Sequence, residues 1–227
     1  MLSSSDVMKP LILLAMAGLV VVACEPVDPD PVVEEEPEVE EEPLVEEEPD
    51  PEEEAREIVE DWHEESQRAF EMMMDEYGEP DAISEEVAIW HDTDPYHRTE
   101  ITADATEHNF PMPHYDVMEQ YVYYEVPEDM VGELAEFTGS VIVSRTRGEL
   151  SARCDEKAPN FLALNLAHEI IEGALTPDEA RTRYGEEIQA LMAEEPTEYT
   201  QELLFDPMDR EEAEQSDEAL PELIGRR

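Results

Sequence analysis

The chain has 227 residues, 63 of them acidic and 13 basic, for a formal net charge of −50. A surface this negative repels nucleic-acid phosphate and anionic headgroups, which excludes nucleic acid as a partner and favours cations and basic proteins. The length leaves room for one modest domain, and two cysteines, Cys24 and Cys154, are too few for a disulfide framework.

From the start of the chain, Lys9 precedes an uncharged apolar run, Leu11 to Ala23, that ends in small side chains. The run is about 13 residues, whereas a membrane-spanning helix needs about 20. A secretory signal peptide over residues 1–23 is therefore expected. An ordinary signal peptide with an incidental cysteine, or an uncleaved anchor, also fits the run. The closing residues, Val21-Val22-Ala23-Cys24, resemble the lipobox of bacterial lipoproteins. That resemblance covers residues 1–24 and implies lipidation of Cys24, cleavage before it, and a membrane-anchored protein of the bacterial cell envelope, at the outer membrane on its periplasmic or surface face. Two or three acyl chains hold such a protein stably, where one binds only marginally.

Residues 24–54 form the next unit. Glu25 to Glu54 includes no basic residue, and Glu-Glu-Glu-Pro recurs at Glu34, Glu40 and Glu46. Proline favours polyproline II and adjacent carboxylates repel, so a disordered, extended tether is expected, reaching up to roughly 90 Å. A spacer is the simplest role; a weak calcium buffer or an export signal are alternatives. Lysine occurs only at Lys9 and Lys157. Scarce lysine with abundant carboxylate suits a halophilic setting, where salt screens self-repulsion.

The foldable body is expected over residues 55–205. Ala55, Ile58, Val59, Trp62, Ala69, Phe70, Met73 and Tyr77 recur at helical spacing, predicting one amphipathic helix over 55–77 stopped by Gly78. Strands are expected over Val87–Asp92, Arg98–Ala103 and Met118–Val126, around an Asp94-Pro95 turn. A short helix follows, started by Pro127-Glu128-Asp129, running through Met130 and Phe137 and ended by Gly139, then strands at Val141–Val143 and Leu150–Arg153. Two further helices run over Phe161–Ile171 and, from the capping box Thr176-Pro177-Asp178-Glu179, to about Glu194. Residues 206–227 read as a flexible acidic tail. The order argues an α+β fold, a mainly antiparallel sheet of about four or five strands covered by helices on one face.

Tyr77-Gly78-Glu79-Pro80 followed by a strand carrying Trp90 resembles the helix, Gly-x-Pro, strand-with-Trp pattern of small outer-membrane lipoproteins related to the barrel-assembly accessory subunit. The resemblance covers about 20 residues, which a helix stop and a core tryptophan also produce. It implies the local fold and nothing about the second half of the body.

Two constellations carry candidate chemistry. His91 with His97, and His108 with His114, form two equally spaced pairs beside Asp92, Asp94 and Asp116. Imidazole and carboxylate ligands converging across a hairpin would make a zinc-type divalent metal site; otherwise these are polar turn residues. Arg145, Arg147 and Arg153 gather in an acid-dominated chain, and alternation puts Arg145 and Arg147 on the strand face of Val141 and Val143. They are candidates for binding an anion bidentately, or for pairing with internal acids such as Glu149 and Asp155. Cys154 beside Arg153 is a candidate nucleophile or a small buried side chain.

No Gly-rich phosphate loop, Gly-x-Ser-x-Gly elbow or recognisable carboxylate pair accompanies them. The expectation is therefore a non-enzymatic binding or structural module on an acidic stalk, bound to the membrane by lipid and open to an envelope protein or cations. The alternative is a metal-dependent envelope enzyme built on the His/Asp cluster.

Overall fold

The computed structural model describes residues 50–224. The expected signal peptide, Cys24 and all but the end of the acidic tether lie outside them.

The body begins earlier than expected. Asp50 caps helix α1, Pro51–Val59, its carboxylate accepting from Glu52 N at 3.1 Å. Proline at the first helical position and Glu52, Glu53 and Glu54 in the first turn suit a helix N-terminus. The last residues assigned to the tether therefore belong to the domain. The single helix over 55–77 is likewise corrected: α1 stops at Val59, and α2 runs Glu64–Tyr77. His63 makes the break, its Nδ1 accepting from Glu65 N at 3.2 Å and its backbone N–H donating to Ala103 O at 3.0 Å. Gly78, at φ +77, ends α2 by donating to Met74 O at 2.9 Å.

Six antiparallel strands follow: β1 Ala82–Ile83, β2 Val87–Thr93, β3 Tyr96–His108, β4 His114–Tyr123, β5 Val141–Ser144 and β6 Glu149–Cys154, in the order β1-β2-β3-β4-β6-β5. The strand beyond the expected five is the two-residue edge β1. Helices α3 Met130–Phe137, α4 Lys157–Ile171 and α5 Pro177–Met192 complete the expected set.

Alternation divides the sheet. Ala88, Trp90, Ile101 and Met118 pack on Val59, Phe70 and Met73 of α1 and α2. Val122, Leu150, Ala152 and Val141 pack on Leu134, Leu162, Leu166 and Tyr184 of α3, α4 and α5. Each large side chain buried this way contributes about 1.5–3 kcal/mol. All these helices cover one face, as expected. On the other face Arg98 reaches Glu149 at 3.1 Å and Glu100 at 2.8 Å, and lies 3.8 Å over the Tyr121 ring.

The two apolar clusters meet at a polar seam. Along β4, Gln120 sits between Met118 of one cluster and Val122 of the other. Its Nε2 donates to Thr99 Oγ1 at 3.4 Å, Asn160 Nδ2 donates to its Oε1 at 3.1 Å, and the Thr93 and Thr99 hydroxyls are 2.8 Å apart. None of the four side chains reaches solvent.

Residues 208–217, assigned to the flexible tail, are docked instead. Met208 N donates to Tyr123 O at 2.9 Å, Gln215 Nε2 to Val126 O at 3.0 Å, and Ala213, in α6 Arg210–Ala213, is fully buried. Gly148, at φ +64, lets this segment approach: a Cβ there would meet the Ala213 carbonyl carbon at 2.4 Å.

Candidate metal centre

A hairpin sets the site. His108 ends β3, His114 opens β4, and the two are direct cross-strand partners. Their rings therefore stand on one face with centroids 4.8 Å apart. Asp116 follows two residues later on β4, on the hairpin side of the register shift that separates Ile101 from Thr106 on β3. Its side chain is 4 % exposed, against 21 % for His108 and 14 % for His114. One ligand atom from each residue lies within 4.8 Å of the others, and among the described residues no other group of three or more His, Cys, Asp or Glu does so.

The hydrogen bonds around the group fix its chemistry. His114 Nδ1 lies 2.9 Å from Met112 O. A carbonyl only accepts, so Nδ1 carries the proton and Nε2 presents its lone pair. That Nε2 is 3.2 Å from Asp116 Oδ1, a buried oxygen left without a hydrogen-bond partner while the ring is neutral. Two acceptors thus face each other across the spacing of a bond, which a proton on the ring or a cation between them makes favourable. His108 Nδ1 is 3.5 Å from the same oxygen. Ligands about 2.0–2.1 Å from a tetrahedral zinc stand about 3.3 Å apart, close to both separations. Ser140, just before β5, donates its one proton to Asp116 Oδ2 and, at 3.0 Å, accepts from His108 Nδ1–H. Met112 O and Ser140 are outer partners of the kind that orient metal ligands.

The two imidazoles titrate in opposite directions. Burial lowers His108 below the usual 6.5, with Asp116 pulling it up and His114 pushing it down. The Asp116 side chain raises His114, against burial. The group could hold a divalent metal ion, whose binding would displace the proton from any ring nitrogen it takes.

The other expected ligands stay apart. His91 is the cross-strand partner of Arg98, one residue off His97, so the two rings are not directly opposed. His91 is tied to Asp81, Nδ1 to Oδ2 at 3.2 Å, and is half exposed. His97 stacks on Tyr123 with centroids 3.9 Å apart, 3.6 Å from Glu149, and burial lowers its pKa. Asp92, near the end of β2, and Asp94, in the β2–β3 turn, lie beside His97 and are not part of the His108 group. The four-histidine cluster reduces to His108 and His114 with Asp116.

The arginines do not converge either. β5 stops at Ser144, and Arg145–Arg147 form a 3-10 turn rather than more strand, which corrects the face assigned to them. Arg145 holds the docked C-terminal segment, Nε to Gln215 Oε1 at 3.0 Å and a terminal nitrogen to Asp217 at 3.4 Å. Arg147 is exposed, 3.7 Å from Glu149, and Arg153 lies 3.9 Å from Glu119. Each meets partners of its own chain. Burial, reinforced by Asp155, pushes the Cys154 thiol well up, which disfavours the thiolate a nucleophile needs.

The sequence offered no signal for Met112 O or Ser140. One is a backbone atom, and the other arrives from a distant strand. The Trp90 pattern has a local cause, since its indole donates to Gly78 O at 2.9 Å and fastens the helix stop to β2. No protein-family model, curated protein or solved structure matches the chain.

Proposed function

We propose that this chain is a lipid-anchored protein of the bacterial cell envelope whose α+β domain is a non-enzymatic module binding a divalent transition metal at His108, His114 and Asp116. One observation carries the metal: His114 Nε2 and His108 Nδ1 lie 3.2 and 3.5 Å from the same buried Asp116 oxygen. Two imidazoles and a carboxylate suit zinc and its neighbours better than calcium or magnesium, which prefer oxygen. The anchor rests on the Val21–Cys24 lipobox, and the acidic tract would hold the module away from the membrane.

Elemental analysis of the purified protein tests the metal. One equivalent of a transition metal, lost in His108→Ala, is expected; metal below stoichiometry after zinc reconstitution overturns it. Fractionation tests the anchor. Cys24→Ser is expected to move the protein from membrane to soluble fraction and to abolish fatty-acid labelling, and an unchanged distribution overturns it.

A metal-dependent enzyme is the second reading, because three protein ligands leave a tetrahedral position free. Substrate would enter the cleft beside His114, about 290 Å³ and lined also by Glu65, Glu107, Tyr115 and Asp155. Zinc-dependent hydrolysis of an activated ester, lost in Asp116→Asn, would favour it over the binding module.

A further inference from the structure

We propose a second binding site that works without the metal: a cavity at an interruption of the β3–β4 ladder that takes a short zwitterionic peptide, its carboxylate on Arg153. From Ile101 to Thr106 β3 takes five steps while β4 takes two, from Met118 to Asp116. Bulges of this kind re-aim side chains next to binding sites. The looped-out residues are pinned. Ala103 N donates to Glu86 O at 2.8 Å, Ala103 O accepts from His63 N at 3.0 Å, and Thr102 Oγ1 donates to Asp104 O at 2.9 Å. A cavity of about 470 Å³ lies against them, lined by Arg153 of β6, Glu119 of β4, Asp104 of the bulge, and Glu85 and Glu86 of the β1–β2 turn. It shares only Asp116 with the metal centre.

Arg153 sets one end of the ligand. It is the cross-strand partner of Glu119, yet Glu119 Oε1 accepts from Ser151 Oγ at 2.5 Å and the other oxygen stays 3.9 Å from Arg153 Nε. Among the described residues the Arg153 guanidinium donates no hydrogen bond, whereas Arg98, Arg145 and Arg183 reach acceptors at 3.1, 3.0 and 2.7 Å. Nε is covered, but the side chain is 36 % exposed and its terminal nitrogens reach solvent. A planar fork of free donors lining a cavity is suited to a carboxylate.

The rest of the lining sets the other end. Glu85, Glu86, Asp104 and Glu119 surround this one guanidinium, so an anion alone is repelled, and a cation alone leaves Arg153 unmet. A molecule with both charges meets both. Its length follows from the sheet. Arg153 is on β6 and Asp104 on β3, with β4 between them, which separates the two charges by about 10 Å at ordinary strand spacing. That exceeds the reach of a free amino acid and matches about three extended residues. The ligand class is therefore a peptide of about three residues with free amino and carboxyl ends.

The test is calorimetric titration of the full-length, chelator-treated protein in detergent with triglycine, at about 0.1 M salt to screen long-range attraction. Saturable binding is expected, weakened at least about tenfold in Arg153→Gln and less than about twofold in the control Arg147→Gln, an exposed arginine outside the cavity. Triglycine amide and N-acetyl-triglycine, each lacking one charge, are expected to bind wild type at least about tenfold more weakly than triglycine. That comparison carries the test even where Arg153→Gln does not fold. His108→Ala is expected to bind triglycine as wild type does, which separates this cavity from the metal centre. Amide binding as tight as triglycine would assign the affinity to acidic surface alone and overturn the proposal. Unchanged affinity in Arg153→Gln, or no saturable binding up to about 10 mM peptide, would overturn it as well.

Discussion

Asp116 Oδ1 stands 3.2 Å from His114 Nε2, although Met112 O holds the ring in the tautomer that makes both atoms acceptors. Asp116→Asn resolves this without metal, because the amide donates to Nε2 while its oxygen accepts from Ser140. The metal-free variant is expected to melt within about 1 kcal/mol of wild type. Zinc at about a hundred times Kd stabilises wild type by about 2.7 kcal/mol, and the variant should gain none. Melting curves with and without zinc check both halves.

The start of α5 gives a pH dependence with a definite sign. Glu179 accepts from Thr176 N at 2.9 Å, and that backbone bond lowers its pKa below the usual 4.5. A carboxyl depressed on folding stabilises the fold above its unfolded pKa, and the contribution is lost as pH falls through the folded value. Glutamine keeps the capping geometry, so Glu179→Gln isolates the charge. Wild type should melt above the variant at about pH 7, and the difference should close by about pH 2–3. A constant difference across that range would be the contrary result.

Gly148→Ala tests the docked C-terminal segment. The new Cβ meets Ala213 and Glu214 backbone atoms at 2.4 and 2.6 Å, at a φ of +64. Left-handed strain costs about 1–2 kcal/mol, and the segment must also lift. Limited proteolysis should cut after Phe205 faster in the variant while the rest of the body stays protected.

Asn160→Ala strips a donor from the polar seam and leaves Gln120 Oε1, fully buried, without its 3.1 Å partner. The expected loss is about 1–3 kcal/mol, measured by chemical denaturation. Unchanged stability would mean water takes over the bond.

The body's helices and strands were legible because apolar residues recur at their periods, as in Phe70 with Met73 and Ala88 with Trp90. The α1–α2 break was not, since Val59, Trp62 and Phe70 belong to one apolar cluster on both sides of it. The site was half legible. His91/His97 and His108/His114 have the same spacing, yet only the second pair is in cross-strand register. Turn geometry decides that, because the β2–β3 turn sets His91 opposite Arg98 rather than His97. Arg145 and Arg147 misled for a related reason: alternation applies only while the strand lasts, and β5 ends at Ser144.

Apolar side chains tolerate sliding, because a methyl group finds another methyl one step along. The Thr99, Gln120 and Asn160 contacts do not, being directional bonds between specific atoms on β3, β4 and α4. A shift of either strand by one position would break them together and strand their polar atoms in a dry interior. Those three residues serve as a key for strand register, so a sequence redesigned around them keeps its pairing even where the flanking hydrophobic residues are exchanged.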